Sequence, residues 1–349
     1  MFLKIGGRKI GDGQKTFIVA ELSANHCGKF GIAAKTIRAM KAAGADAVKL
    51  QTYTSATMTI ESDKEYFKIR QGTIWDGKTL ARLYREAYTP WEWHPKLKKL
   101  AEQEGLLFFS TPFDRTSVDF LETLKVPAYK IASFEITDLP LIEYVASKGK
   151  PVILSTGIAH WSEIKDAVAA CRRMGNDRIG VLKCASAYPA AYNEMNVRSM
   201  TVLREKLNCT VGISDHSSGS IVPVTAVALG ASIVEKHFIL SRKLGGPDAS
   251  FSMEPGEFKQ MVENIRDTEA ALGEAKYALT RRARANRAFS RSLFAVKDIA
   301  SGDIITEENV RSIRPGYGLA PKFLKDIIGK TACRGFKKGT PLNWHIVRG

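Results

Sequence analysis

Cysteine is scarce in this 349-residue chain: five residues, Cys27, Cys171, Cys184, Cys209 and Cys333, with no paired C-x-x-C spacing. An odd, scattered set excludes a disulfide scaffold and fits a reducing cytoplasm. No apolar run reaches the length of a membrane span. The opening Met1-Phe-Leu-Lys-Ile-Gly-Gly turns charged and glycine-rich too soon for a signal peptide. No glycine-rich dinucleotide or phosphate-loop fingerprint follows any candidate strand, which argues against an open doubly wound sheet. Acidic residues are outnumbered, 36 against 52 Lys and Arg, for a formal net charge of +16. From 281 onward fifteen Lys and Arg face five Asp and Glu, so +10 of that excess lies there. Such a balance suits nucleic acid, a membrane surface or an anionic small molecule. With no aromatic-interleaved RNA motif, helix-turn-helix or zinc module, specific nucleic-acid binding is not expected. Attraction for an anionic substrate is.

What is present is a regular alternation. Apolar, β-branched runs fall at 17–22, 47–52, 107–113, 128–133, 152–157, 179–186, 211–216 and 233–238. Helical patterns lie between them at 33–43, 95–104, 117–124, 140–148, 162–174 and 196–207, with a short apolar stretch at 220–231. Strand alternating with helix implies a parallel sheet. Eight units within about 240 residues fit a closed (β/α)8 barrel, and 44% hydrophobic content suffices for its core.

Barrel chemistry belongs at the C-terminal strand ends. Those ends read Glu21; Lys49 and Gln51; Thr111 and Asp114; Lys130 and Ser133; Ser155; Lys183 and Ser186; Ser214, Asp215 and His216; Glu235 and His237. Strands buried on both faces should be apolar throughout, so polar residues at the same end of every strand mark a site. Lysines and hydroxyls suit a phosphate plus a carboxylate. Period-two spacing turns Ser214 with His216, and Glu235 with His237, to one side each. Two imidazoles on neighbouring strands can hold a metal; two ordinary buried histidines would give the same spacing.

Several motifs carry a resemblance. Phe17-Ile-Val-Ala-Glu-Leu-Ser-Ala-Asn-His26, Gly44-Ala-Asp-Ala-Val-Lys-Leu-Gln-Thr52, Ser110-Thr-Pro-Phe-Asp114, Lys130-Ile-Ala-Ser133, Leu154-Ser-Thr-Gly157, Gly212-Ile-Ser-Asp-His216 and Glu235-Lys-His-Phe238 occur in one order along nearly the whole chain. The chain resembles the sialic acid synthase family, the phosphoenolpyruvate-dependent nonulosonate synthases. The resemblance implies a (β/α)8 TIM barrel followed by a small antifreeze-like (SAF, β-clip) domain, here 1–280 and 291–349 with a basic linker at 281–290. Leu83-Tyr-Arg-Glu-Ala-Tyr-Thr-Pro-Trp-Glu-Trp-His94, Ser290-Arg-Ser-Leu-Phe294 and Ser312-Ile-Arg-Pro-Gly-Tyr-Gly318 resemble the pseudaminic acid synthase branch. Ser186 departs from the Asn common in neuraminate synthases and lacks an amide donor pair.

The family condenses phosphoenolpyruvate with an acetamido-sugar aldose. For this chain the resemblance implies 2,4-diacetamido-2,4,6-trideoxy-L-altrose, with N-acetylneuraminate or legionaminate synthesis as the sister readings. It assigns the phosphate to Thr111, Lys130, Ser133 and Ser155, and the carboxylate to Lys49 and Ser214, with Ser186 as a further candidate. His216 and His237 would hold a divalent metal; nitrogen with oxygen donors suits Mn²⁺, with Mg²⁺ or Co²⁺ as substitutes. Glu21 is assigned proton transfer or the steering of water. Gln51, Tyr188, Glu235 and Asp248 would orient the sugar or the metal's shell. Arg314 matches the family arginine that touches the acylamino side of the sugar, reached from the partner in a domain-swapped homodimer. A different class, a pyruvate aldolase, would use Lys49, Lys130 or Lys183 as a Schiff-base nucleophile and need no metal. A non-catalytic binder would leave the polar strand ends unexplained.

Asp46 and Asp177 read as solvated or capping residues, and Phe251 and Met253 as packing residues. The connection 53–105 is longer than a crossover needs. Its first half, 57–78, mixes aromatics with charges and is expected to form a structured flap beside the site.

Overall fold

The computed structural model describes residues 2–348. The chain divides into two compact units, Met1–Gly273 and Glu274–Gly349.

The first unit opens with a hairpin, β1 (Phe2–Ile5) and β2 (Arg8–Gly11). Eight parallel strands follow: β3 (Phe17–Glu21), β4 (Ala47–Thr52), β5 (Leu107–Pro112), β6 (Tyr129–Ile131), β7 (Val152–Ser155), β8 (Ile179–Cys184), β9 (Thr210–Asp215) and β10 (Ile233–His237). They pair in sequence, and β10 closes on β3 to complete the barrel. The eight strands are those expected from the sequence. The eight helices that flank them are Phe30–Ala42, His94–Gln103, Arg115–Thr123, Leu139–Ser147, Trp161–Arg173, Ser199–Leu207, Ile221–Ala228 and Pro255–Leu272.

Alternation along the strands builds the barrel interior in layers. Val19, Ala47, Phe109, Ala128, Ile153, Leu182 and Ile233 form one apolar cluster with Leu3, Ile5 and Ile10. The hairpin therefore plugs the N-terminal mouth, and the chain's own beginning seals the barrel opposite the site. Gly212 takes the place of an eighth side chain in this layer. A Cβ there would stand 2.3 Å from the Ile233 carbonyl oxygen, so β9 and β10 approach as they do only with glycine.

Several acidic residues serve the scaffold. Asp114 caps the helix Arg115–Thr123 in a capping box with Ser117, rather than facing the barrel mouth. Asp46 accepts the Ile18 N–H at 2.9 Å and pairs with Arg8 and Arg266, so it ties strand to helix instead of being solvated. Among the described residues no helix is long and apolar enough to cross a membrane.

In the second unit β11 (Ser292–Ala295) pairs antiparallel with β12 (Val310–Ile313), and β13 (Thr331–Ala332) with β14 (Val347–Arg348). Leu293, Ile299, Ile305, Val310, Ile327 and Leu342 belong to its own core. The stretch expected as a linker contains the helix Arg281–Asn286, capped by the Thr280 side chain. Arg314 follows β12 and is exposed.

Candidate active site

One step of two residues beyond the apolar layer, the eight strands present Glu21, Lys49, Thr111, Lys130, Ser155, Cys184, Ser214 and Glu235. All eight are buried. The same phase that makes the barrel interior apolar at one level makes it polar at the next, because side chains repeat every second residue. A further step of two reaches Gln51, Gly157, Ser186, His216 and His237 at the rim.

The polar layer is held together by charge. Glu21 and Lys49 form an ion pair. Glu235 Oε1 lies 3.3 Å from Lys49 Nζ and 3.7 Å from Lys130 Nζ, and accepts from Ser214 Oγ at 3.2 Å. Lys49 also donates to Thr111 Oγ1 at 3.3 Å. Burial drives the Glu21 carboxyl up to about 7 in spite of Lys49. Burial acts on Glu235 the same way, but Lys130 and Lys49 together outweigh it and hold this carboxyl below its usual range. Burial lowers Lys130, and Glu235 only partly offsets that. For Lys49 the two carboxylates prevail over burial and keep it protonated. The layer thus sets two lysines beside two carboxylates, one of which burial pushes toward its neutral form, an arrangement suited to accepting an anion.

Some atoms of this layer are short of partners. Ser155 Oγ and Glu235 Oε2 are buried without a hydrogen bond. Such atoms cost stability unless a ligand satisfies them. Beside them Ser133 Oγ accepts the Gly157 N–H at 3.1 Å. A side chain at Gly157 would collide with the Ser186 and Ser133 hydroxyl oxygens, so this glycine lets the two hydroxyls crowd one corner.

At the rim the His216 and His237 rings face each other with centroids 5.3 Å apart. His216 directs Nδ1 to the Ala185 carbonyl at 3.0 Å, which leaves Nε2 to face the open space; burial favours the neutral ring, but Cys184 outweighs it and raises this imidazole. His237 Nδ1 is buried without a hydrogen bond, 3.8 Å from Asp248 Oδ2. Burial, His216 and the lysines hold His237 well below the usual imidazole range, so it is neutral. Two imidazoles, each able to bind a cation through an unprotonated nitrogen, with an oxygen donor nearby fit a divalent metal once His216 gives up its extra proton. Among the described residues no three His, Cys, Asp or Glu side chains converge on one point. The protein would thus supply two nitrogens and leave the other positions to water or substrate oxygen. Tyr188 lies over His216 with centroids 4.4 Å apart, and Phe251 packs 5.0 Å from His237. The packing role expected for Phe251 is thus exercised on the histidines themselves.

Three strand-end residues face away from this space. Asp215 and Lys236 form a buried ion pair on the helix side of the wall, and Lys236 also donates to the Ser217 carbonyl. Lys183 donates to the Cys184 carbonyl at 2.6 Å. Two residues belong here that the sequence reading passed over. Cys184 lies in the polar layer 3.7 Å from His216 Nδ1. Burial would raise its thiol, but His216 brings it down to about 7. Glu135, in the turn after β6, is pushed by burial to about 7 with Lys130 opposing. Counting by two from Leu182 would have found Cys184; Glu135 lies beyond its strand and had no such signal.

The connection after β4 carries the helices Ser55–Met58 and Leu80–Ala87, with a bridge between Lys68 and Thr79. Its Trp75 donates Nε1–H to the Pro247 carbonyl at 2.8 Å and lies 5.4 Å from the Tyr188 ring. The stretch is a folded flap beside the site, as its composition predicts.

Comparison with known proteins places this geometry. Residues 36–277 match the NeuB family and residues 290–348 match the SAF domain. The chain is 48% identical over 327 residues to the pseudaminic acid synthase of Helicobacter pylori, covering 93% of this chain and 96% of that one. To the pseudaminic acid synthase of Campylobacter jejuni (strain 81-176) it is 47% identical over 329 residues, 94% of this chain and 96% of the relative. Among solved structures, N-acetylneuraminic acid synthetase from Leptospira borgpetersenii, in complex with citrate, superposes with a TM-score of 0.74 at 32% identity, over 82% of this chain and 95% of that one. With the family model spanning most of the barrel and the relatives matched nearly end to end, the chain belongs to the NeuB family and carries a SAF domain at its C-terminus.

Proposed function

We propose that this enzyme condenses phosphoenolpyruvate with 2,4-diacetamido-2,4,6-trideoxy-L-altrose to give pseudaminic acid and phosphate. The observation that carries the reaction type is the buried polar layer, with two lysines, unsatisfied Ser155 and a pair of neutralisable histidines above it. The sugar rests on the relatives: the two pseudaminic acid synthases are 47% and 48% identical, the neuraminic acid synthetase 32%.

Phosphoenolpyruvate carries two anionic groups, and the site offers donors for both. Lys130, Thr111, Ser133 and Ser155 would take the phosphate; Lys49, Ser214 and Ser186 the carboxylate. Binding there places the enol carbon toward the rim. His216 and His237 would hold a divalent metal, Mn²⁺ by donor type, which when bound supplies Lewis acidity to the aldehyde oxygen. The enol carbon attacks the aldehyde carbon and forms the new C–C bond. Water adds to the resulting oxocarbenium carbon, and the intermediate expels phosphate by C–O cleavage. One proton leaves the water as it adds and one must reach the new alkoxide; the water's second proton leaves as the hydroxyl collapses to the ketone and departs with the phosphate. Glu21, raised to about 7, can exchange a proton at neutral pH and suits that balance. Gln51, Tyr188 and Asp248 would orient the sugar. Arg314 would meet its acylamino side from the partner of a swapped homodimer.

Lys49 is held protonated between two carboxylates and Lys183 lies outside the polar layer, which leaves Lys130, lowered by burial, as the one lysine a Schiff-base aldolase could use; here it is assigned to the phosphate. Phosphate release with Mn²⁺ tests the reading, comparing the altrose sugar with N-acetylmannosamine, each with and without EDTA. Chelator-sensitive release with the altrose sugar alone is expected. Turnover of N-acetylmannosamine instead would keep the chemistry and overturn the sugar. Release with neither would overturn the reaction.

A further inference from the structure

Trp75 joins two parts of the site. Its indole N–H donates to the Pro247 carbonyl, one residue before Asp248, whose carboxylate stands beside His237. The face of the same indole lies against Tyr188, tilted by 53°, and Tyr188 covers His216. One side chain thus spans from the wall over one histidine to the loop beside the other.

The loop that presents Trp75 is built to hold its shape. Ile69 N–H donates to the Lys78 carbonyl at 2.9 Å and Gly77 N–H to the Ile69 carbonyl at 3.0 Å, closing its base. The Asp76 carboxylate accepts from Gly72 N, Thr73 N and Thr73 Oγ1, each at 2.9 Å, fixing its tip. A cleft of about 500 Å³ is lined by Trp75 together with Ile74, Lys78, Pro247, Ala249 and Ser250. An aromatic surface there suits a ligand end that is apolar, such as acetamido methyls or a deoxy carbon, better than a charged one.

We infer that Trp75 is a positioning residue for the sugar: it fixes Tyr188 and the Asp248 loop over the histidines and forms the wall against which the sugar's end remote from its aldehyde packs. This rests on the function proposed above. The phosphoenolpyruvate donors lie a layer deeper, so the two substrates should respond differently to its loss.

The test compares wild type, Trp75→Phe, Trp75→Ala and Asp76→Ala by phosphate release, with KM measured separately for each substrate. Wild-type turnover of the altrose sugar is the control for the underlying reading; if wild type is inactive, that reading fails before this one is reached. Given turnover, Trp75→Ala should raise the sugar KM about tenfold or more while the phosphoenolpyruvate KM stays within about twofold. Trp75→Phe keeps a ring and loses the N–H, so it should restore most of the effect. Asp76→Ala loosens the loop without removing the indole and should give a smaller rise of the same kind; it carries the test if Trp75→Ala does not fold. Equal rises in both KM values, or none in either, would overturn the inference.

Discussion

Glu21 and Lys49 are register partners on adjacent strands, and their side chains form an ion pair closed off from solvent. Both groups hold their protons more tightly than usual. The carboxyl is raised to about 7 by burial, and the ammonium is held protonated by Glu21 and Glu235. A proton-exchanging group therefore sits against a permanent cation, in the layer where phosphoenolpyruvate is proposed to bind.

Glu21→Gln keeps the shape and removes the proton exchange. The expected loss in kcat/KM is about 10²- to 10⁴-fold. Wild-type kcat/KM should bend near pH 7, where Glu21 ionises, and the variant should lose that bend. Stability has its own sign. A carboxyl with a raised folded value binds its proton more tightly folded than unfolded, so its contribution is full below 4.5 and declines as pH rises to about 7. Thermal melts across that window should be flatter for Glu21→Gln. Full activity in the variant would remove Glu21 from acid–base chemistry.

Lys49→Met leaves Glu21 and Glu235 buried without their shared cation. Breaking one side of a buried pair costs about 3–5 kcal/mol. The loss should be largest above neutrality and shrink in acid, where the stranded carboxyls take up protons, whose folded affinities the substitution raises. Chemical denaturation on either side of neutrality measures this. An equal loss at both pH values would mean that the carboxyls never feel the missing charge.

The fold was legible because each strand announces its phase. The apolar run fixes which side chains face inward, and the polar residues after it fix which end is the mouth. Lys49, Thr111, Lys130, Ser155, Ser214 and Glu235 fall into one layer by that count alone. Asp215 was misread because polarity was scored without phase: it lies between inward-facing Ser214 and His216 and so points to the helices. The hairpin of β1 and β2 escaped notice because its strands are four residues long, though Gly6 and Gly7 between alternating apolar residues are a hairpin signal. Glu135, Trp75 and Phe251 are brought to the site by turns and loops whose paths no periodicity encodes.

Asp215→Ala separates wall from site. It strands Lys236 in the buried layer between barrel and helices and frees the Ser217 N–H that Asp215 accepts at 2.8 Å. A loss of about 3–5 kcal/mol in unfolding free energy is expected. Activity per folded molecule should stay close to wild type at low temperature. A variant of wild-type stability that lost turnover would place Asp215 in the reaction.

His216→Ala and His237→Ala test the metal reading without relying on turnover. Mn²⁺ bound to wild type should give an altered electron paramagnetic resonance signal, and titration should give one site per chain. Each variant should weaken binding by well over about tenfold, the least that loss of even an outer partner costs a metal site. Unchanged Mn²⁺ affinity in both would remove the histidines as ligands.

Ser155→Ala makes the sharpest contrast between stability and binding. The hydroxyl oxygen is buried with no hydrogen-bond partner in the protein, so its removal breaks no bond within the fold. Replacing it with a methyl-sized side chain leaves no cavity of consequence. The melting temperature should therefore hold or rise slightly. If the oxygen instead meets the phosphate of phosphoenolpyruvate, the variant loses a hydrogen bond to a charged group, worth about 1.5–3 kcal/mol. That predicts a rise in the phosphoenolpyruvate KM of about ten- to a hundredfold, with the sugar KM little changed. A less stable variant with unaltered phosphoenolpyruvate affinity would show that Ser155 has a structural partner, and would move the phosphate elsewhere in the layer.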